Sequence, residues 1–273
     1  MILIVSIILN LIFCLSSFAG EDHMLEKIVV TGNSGNEKTQ NYPAETFSYK
    51  DIQGKKLNSV PDIFRYASGV DLRYRGTSGV QGDLSIRGST YEQVAVLIDG
   101  IKINDMQTGH HNLDIPFTSM DMEKIEVIKQ GSSSLYGAGA LSGSINIITK
   151  KPLKKSASIE MSGGAHALYG QAFSCDMPGK DASNSFSFEH KTSNGARPNT
   201  DFDYQTYSYI FNKDWQDNSL NFLAGYQDKD FGADSFYSNL YKEDEEHTKT
   251  LFVKTGLDSD LCSYKLKNSI FLR

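Results

Sequence analysis

Positive charge, cysteine, tryptophan and long apolar runs are all scarce in this chain. Its 27 Lys and Arg against 33 Asp and Glu leave a formal net charge of −6, which argues against a nucleic-acid footprint, normally a basic one. The mean hydropathy of −0.36 excludes a helical polytopic membrane protein. It leaves open a transmembrane barrel, whose strands alternate apolar and polar residues and hide their hydrophobicity from an average. Only Cys14, Cys175 and Cys262 are present, too few for a disulfide framework. Strand parity puts Cys175 and Cys262 on the outward-facing aromatic set, several strands apart, which predicts free thiols. Residues 42–151 contain no nucleophile–base pair and no metal-spaced cluster; His110 and His111 are adjacent but lack further ligands nearby. The sequence therefore offers no enzyme.

The one apolar run is at the start. Residues 1–20 carry no charge, and Ser17-Phe18-Ala19 precedes Gly20-Glu21-Asp22, which reads as a secretory signal peptide cut after Ala19. Its first residues lack the usual Lys or Arg, and Phe13 is too bulky for lipoprotein cleavage before Cys14. Glu26-Lys27-Ile28-Val29-Val30-Thr31-Gly32 follows, a short β-branched run. Asn33 to Asn41 is polar and reads as a flexible linker. A strand tethered this way suits either a frayed edge or a peptide that another protein pairs with by strand addition.

Residues 42–151 read as an α+β domain. Ser59-Val60-Pro61-Asp62 opens a helix with a cap and an early proline. Val60, Ile63, Phe64 and Ala67 give it one apolar face, and Gly69 is placed to stop it. Val70-Leu72-Tyr74 and Leu84–Gly88 read as strands around a glycine-rich loop at 76–82. Val94–Ile98 and Ile101–Ile103 flank Asp99-Gly100, a hairpin signal. Met122–Lys151 reads as strand, glycine-rich turn, strand. Its near-match to GxGxxG fails because position 142 is serine and a strand follows, where a dinucleotide site needs a helix. The density of glycine there fits tight packing inside a barrel.

From Pro152 helical periodicity disappears. Strands are expected at 156–163, 168–177, 185–192, 204–211, 220–227, 249–257 and 261–272, with alternation clear in Tyr207/Tyr209/Phe211 and Leu220/Phe222/Ala224/Tyr226. A soluble β-sandwich uses the same period. Strand lengths of ~8–12 residues with aromatics near their ends favour an antiparallel transmembrane barrel. The connections point the same way. Those expected at 193–203 and 228–248 are long and those at 212–219 and 258–260 shorter, the alternation of outer and periplasmic turns. That phasing sends the first strand outward from the periplasm.

Together, Glu26–Gly32, the Leu84–Gly88 "LSIRG" box, Val96–Gly100 "VLIDG" and the block Ile125–Lys150 resemble a TonB-dependent outer-membrane receptor. In that family an α+β plug sits inside a 22-stranded barrel. The resemblance implies active uptake of a scarce ligand across the outer membrane. The N-terminal TonB box, here Glu26, Lys27, Ile28, Val29, Val30 and Thr31, would pair with TonB, energised through ExbB and ExbD. It also implies ligand contact on the plug's apical loops, where Tyr74, Arg75, Gln107, Thr108, His110 and His111 are the candidates. The segment Asn104–Pro116 resembles receptors similar to the vitamin B12 (cobalamin) transporter, so cobalamin or a ferric siderophore is the expected cargo. Seven carboxylates within residues 228–246 suggest calcium, with Asp228, Asp230 and Asp234 as candidate ligands; a plain solvated outer loop is the alternative. Outer-membrane lipid is the expected surroundings and nucleic acid is not a partner.

The chain departs from the family in length. About seven strands are too few to close a barrel of that size, and the chain ends Ile270-Phe271-Leu272-Arg273 instead of on an aromatic residue. The expectation is a plug, residues 42–151, followed by an incomplete barrel at 152–273, the N-terminal part of a receptor. The alternative is an exported plug-like protein that engages TonB without transporting.

Overall fold

The computed structural model describes residues 44–55, 57–238, 240, 242–261 and 264–273. The expected signal peptide, the 26–31 strand, the 33–41 linker, Cys14 and Cys262 lie outside the described residues. Cys175 is a free thiol.

β-branched apolar runs build the first sheet. It contains β1 (Ala44–Ser48), β4 (Val94–Ile98), β5 (Ile101–Lys102), β6 (Met122–Ile128) and β7 (Gly143–Thr149), in the order β1-β6-β7-β4-β5. β4 and β7 are parallel; the other pairs are antiparallel. Every residue of β4 is buried, as a strand covered on both faces requires. The hairpin expected at Asp99-Gly100 is present, with Ile98 opposite Ile101. Its two turn residues have φ of 46° and 79°, the positive values a two-residue type I′ turn needs. Asp99 also accepts from Thr149 N at 2.9 Å and Thr149 Oγ1 at 2.7 Å, tying the turn to the end of β7.

Around this sheet lie α1 (Tyr49–Gly54) and a two-stranded ribbon of β2 (Val70–Tyr74) and β3 (Gly82–Ile86). The helix expected after Ser59 is a 3-10 turn over Val60–Tyr66. Its expected apolar face holds: Val60, Ile63, Phe64 and Ala67 are all buried. So short a helix closes with i→i+3 bonds, as Ala67 N–H to Phe64 O does at 3.1 Å, and never settles into α geometry.

The connection between β6 and β7 holds a short helix, α2 (Ser133–Tyr136), so it is more than a glycine turn. A Cβ on Gly143 would lie 2.3 Å from Ile128 O, and one on Gly131 would lie 2.9 Å from Leu141 O. Both neighbours belong to this same domain. These two glycines serve close approach of backbone to backbone within the domain itself.

The second sheet is β8 (Ser156–Gly163), β9 (Tyr169–Pro178), β10 (Ala182–Ser193), β11 (Phe202–Trp215), β12 (Asn218–Gly232), β13 (Glu245–Leu261) and β14 (Tyr264–Leu272), each antiparallel to its neighbour in sequence. All seven expected strands are there, and the sheet does not close on itself among the described residues. Four of them, β10 to β13, run past their apolar alternation. A cross-strand pair of opposite charge helps to extend them, for Asp228 faces Lys249 in register, and ladder hydrogen bonds need no apolar side chain. The connection expected at 228–248 shrinks to 233–244, and Asp228 and Asp230 fall inside β12, not in a loop. The alternation of long and short connections survives: 164–168, 194–201 and 233–244 at one end, 179–181 and 216–217 at the other.

This sheet is a wall along the first domain, and its amphipathicity is inverted relative to an ordinary core sheet. The face toward the domain buries Ser185, Ser187, Thr206, Ser208, Gln227 and Lys229. The opposite face exposes Ile159, Met161, Phe186, Tyr209, Leu251 and Ile270. An apolar outside and a polar inside is the pattern of a wall whose outer surface meets lipid.

The domain touches the wall through a strap, residues 114–121. Asp121, wholly buried, accepts from Ser187 Oγ at 2.6 Å and Ser208 Oγ at 2.7 Å. It also accepts from Thr118 N and Oγ1 at 2.8 and 2.9 Å. Phe117 meets Phe252 edge-on at 5.9 Å. Gly225 lets the strap approach: a Cβ there would lie 2.3 Å from Pro116 O.

Candidate ligand site at the seam between domain and wall

The chemistry-bearing side chains collect where the loops after β2 and β5 meet the ends of β12 and β13 beside the 233–244 connection. β3 begins with Gly82 and turns Asp83 toward this seam. Asp83 takes Arg75 through Nη2 at 3.1 Å and Nε at 3.3 Å, and its other oxygen lies 2.7 Å from His110 Nδ1. Tyr91 OH is 3.3 Å from His110 Nε2, with ring centroids 4.5 Å apart.

The loop carrying His110 and His111 is held by its own polar residues. Asp105 Oδ1 accepts from the backbone N–H groups of Gln107 and Thr108 at 2.8 and 3.0 Å. Thr108 Oγ1 then caps a 3-10 turn, Gly109–His111, by accepting from His110 N at 3.4 Å. Of the six expected ligand residues, the structure brings Arg75, His110 and His111 together. Thr108 shapes the loop and Gln107 is exposed on it. Tyr74 turns away: its OH donates to Asp62 Oδ1 at 2.9 Å and sits 3.1 Å from Ser59 Oγ, with the Arg65 guanidinium 4.6 Å above its ring. Burial drives the Tyr74 phenol well above its ordinary range, and the Asp62 carboxylate adds to this.

His111 joins the domain to the wall. Its Nδ1 lies 3.2 Å from Asp114 Oδ2 and its Nε2 lies 3.9 Å from Glu246 Oε2. Asp114 in turn pairs with Lys229 of β12 at 2.7 Å, both side chains about 5% exposed. Lys229 also donates to Val80 O at 3.2 Å. Burial alone would raise the Asp114 carboxyl. The Lys229 charge and its hydrogen bond, with His111 alongside, outweigh it and hold that carboxyl below its usual range. The Asp114 carboxylate beside it raises His111 against the effect of burial, and the charges of Glu246 and Asp105 add to the rise.

Lys229 closes the seam from the wall, and Gln81, Asp83, Asp114, Tyr237 and Glu246 complete it. Asp114 and Glu246 fall in stretches the sequence marked, Asn104–Pro116 and the seven carboxylates of 228–246; Lys229, Gln81, Asp83 and Tyr237 were not singled out. Lys229 had a legible signal: it shares the parity of Leu223, Gly225 and Gln227 on β12, so it is a charge on an inward face. Below the seam the domain is close-packed on the wall. A cavity of about 20 Å3 between Ile115, Phe117, Tyr204 and Gln227 is the room left there, enough for about one water molecule. The seam presents cationic and amide donors with aromatic rings, which is binding chemistry.

The candidate calcium ligands are dispersed. Asp228 and Asp230 share the outward face of β12 with Tyr226. There His247 lies 3.3 Å from Asp228 and 3.5 Å from Asp230, and Lys249 lies 3.7 Å from Asp228. Asp234 accepts from Ser235 Oγ at 2.8 Å and lies 3.9 Å from Arg197. Among the described residues no three His, Cys, Asp or Glu side chains are placed to share a metal ion.

Residues 36–144 match the family described as TonB-dependent Receptor Plug Domain. The vitamin B12 transporter BtuB of Vibrio cholerae is 35% identical over 135 residues, 48% of this chain and 22% of that protein. BtuB of Photobacterium profundum is 29% identical over 162 residues, 57% of this chain and 26% of that one. The chain thus spans about a quarter or less of the length of these curated relatives. Among solved structures, the siderophore receptor PiuA from Acinetobacter baumannii superposes with a TM-score of 0.68 at 17% identity, covering 84% of this chain and 36% of that one. The alcaligin outer-membrane receptor FauA from Bordetella pertussis gives 0.67 at 14% identity, covering 84% and 38%. These identities speak to fold alone.

Proposed function

From a chain that carries the plug domain of the TonB-dependent receptors and is similar to BtuB, we propose a role in TonB-dependent uptake across the outer membrane. The single observation that carries this reading is the seating of the plug domain on the polar face of a strand wall whose other face is apolar. A plug packed on the inner side of a lipid-facing barrel has this arrangement, and a soluble sandwich does not. The relatives' names support a cargo like cobalamin or a ferric siderophore, held at the seam of Arg75, His110 and His111. Fold does not fix cargo. Residues 26–31 are assigned to pairing with TonB, whose energy comes through ExbB and ExbD, because a β-branched run supports strand addition with little demand on side-chain identity. An N-terminal signal peptide and residence in the Gram-negative outer membrane complete the proposal.

The test is deletion of Ile28–Val30 in cells that carry the receptor. Uptake of labelled cyanocobalamin or of a ferric siderophore should be lost while binding to whole cells persists. Uptake that survives the deletion defeats the pairing assignment. Binding without uptake in the undeleted protein supports the alternative, a plug-like protein that engages TonB and does not transport.

A further inference from the structure

The foot of the wall, at the end with the short connections 179–181 and 216–217, carries a charged surface that nothing else in the described protein covers. The chain reaches it as it leaves the plug. Lys150 and Lys151 are spent on the wall: Lys150 Nζ lies 2.8 Å from Asp176 Oδ1 and donates to Ser174 Oγ at 3.1 Å, and Lys151 Nζ donates to Asp214. Pro152 is buried. Ser156 then donates to Asp176 Oδ2 at 2.8 Å and opens β8. Residues 152–155 therefore bridge from β11 to β9 with both ends tied. The bridge presents Leu153, 84% exposed, followed by Lys154 and Lys155, both exposed. Lys180 on the adjoining turn and Lys213 near the end of β11 are exposed as well. Among the described residues none of these four lysines is paired with a carboxylate, and Asp181 and Asp217 are the unpaired carboxylates of the same turns. Lys155 shares the outward parity of Ile159 and Met161, and Lys213 and Trp215 share that of Tyr207 and Tyr209. The free ammonium groups thus stand at the base of the wall's apolar stripes.

We propose that this foot binds anionic phospholipid headgroups: Lys154, Lys155, Lys180 and Lys213 hold the phosphates, while Leu153 and Trp215 enter the acyl boundary. Continuity with the apolar outer face argues for lipid. A lysine at the base of an apolar stripe lays its methylene stem along that stripe and keeps its ammonium among the headgroups. A tryptophan at the same level has an apolar body and one N–H donor, the chemistry of a membrane interface. The surplus of positive charge argues for the anionic class, since one lysine close to an anionic bilayer surface is worth about fivefold in binding. An acidic protein would satisfy the ammonium groups but would leave Trp215, 38% exposed beneath an apolar stripe, without a role. Lipid bound here pins the junction between plug and wall to the membrane surface.

This inference rests on the uptake reading, which puts the outer face of the wall in lipid and this end of it in the periplasmic, phospholipid leaflet; its test separates the two. Trp215 is the one tryptophan of the chain and serves as the reporter. The full chain is reconstituted in equimolar vesicles of phosphatidylethanolamine and phosphatidylglycerol, with brominated acyl chains, a contact quencher, on one lipid or the other. At low salt the quenching curves should give phosphatidylglycerol an apparent affinity about fivefold that of phosphatidylethanolamine. In about 1 M salt, where charges are screened beyond about 3 Å, the preference should collapse. The combined variant Lys154→Gln, Lys155→Gln and Lys213→Gln should be quenched equally by both lipids, and arginine at the same three positions should keep the preference. Absence of quenching by either lipid overturns the lipid-facing wall and this proposal with it. Equal quenching in the unaltered protein leaves the lipid-facing wall standing and overturns the headgroup site. A preference that survives the glutamine variant places the anionic lipid elsewhere and overturns it too. Equal quenching together with protection of Lys154 from trypsin by polyglutamate would give the foot to an acidic protein instead.

Discussion

The plug domain and the strand wall are built from the same period-2 alternation and use it in opposite senses. In the plug sheet the apolar positions of β4, β6 and β7 face inward on both sides, and Ile125, Val127, Ile145 and Ile147 are fully buried. In the wall most apolar positions face away from the protein, and the buried positions are mostly serines, threonines, Gln227 and lysines, interrupted by Phe202, Tyr204, Ile210, Leu223, Phe231 and Phe252. The plug is held together by removing carbon from water; the wall and plug are held together by matched polar groups. Among the described residues of the wall, Ile210, Leu223 and Phe252 are the buried members of the plug's apolar core. A seam of hydrogen bonds and ion pairs specifies position strongly and contributes little net stability, since each buried charge must regain its lost hydration.

The largest effect should come from splitting the most deeply buried ion pair of that seam among the described residues, Asp114 with Lys229. Lys229→Met leaves Asp114 charged and enclosed, and should destabilise the protein by about 3–5 kcal/mol. Adding Asp114→Leu should restore most of the loss, because two apolar side chains can replace a buried pair. Urea midpoints of the single and double variants make the check. Equal midpoints would mean that the Asp114–Lys229 pair is not what holds this end of the plug.

The two faces of the comparison separate under a matched pair of truncations. Ile125→Ala in the plug core should cost about 2–5 kcal/mol in any solvent. Ile159, 74% exposed on the outer face of β8, should tolerate Ile159→Lys within about 0.5 kcal/mol in detergent-free water. In a phospholipid bilayer the same change should cost about 2–4 kcal/mol. Equal cost in both media would remove the lipid-facing assignment of the wall.

Much of this was legible in the sequence because alternation and turn chemistry are local. The seven wall strands, the Asp99-Gly100 hairpin and the apolar face of residues 60–67 all follow from period and punctuation. What was not legible depended on partners far along the chain. The ends of β10 to β13 extend through pairs such as Asp228 with Lys249, which a single strand cannot reveal. The 60–66 segment is too short for its period to separate 3-10 from α. At the site, the loop of His110 and His111 stood out for its composition, but Lys229, Tyr237 and Glu246 come from more than a hundred residues away. Tyr74 shows the converse. Beside a glycine-rich loop it looked like a ligand residue, and its hydroxyl is spent on Asp62 and Ser59.

The smallest expected effect is a pH dependence of the same seam. His111 faces Asp114 and Glu246, with Asp105 nearby and Lys229 and Arg273 as the cations around them. Its folded pKa is raised, so the folded state binds the proton more tightly than the unfolded chain. The stabilisation is therefore fully present below the unfolded value of about 6.5 and is lost as pH rises through the higher folded value. A partly exposed imidazole is screened by water, so the contribution should be no more than about 1 kcal/mol. The thermal midpoint should fall as pH rises above about 6.5, and His111→Gln should flatten that slope. Asp114 has the opposite sense: its lowered pKa contributes above about 3.9 and fails only on acidification, outside this window. A midpoint that rises with pH in the unaltered protein, or a slope that survives His111→Gln, would show that the seam is held by Lys229 and Asp114 alone and that the histidine merely fills space beside them.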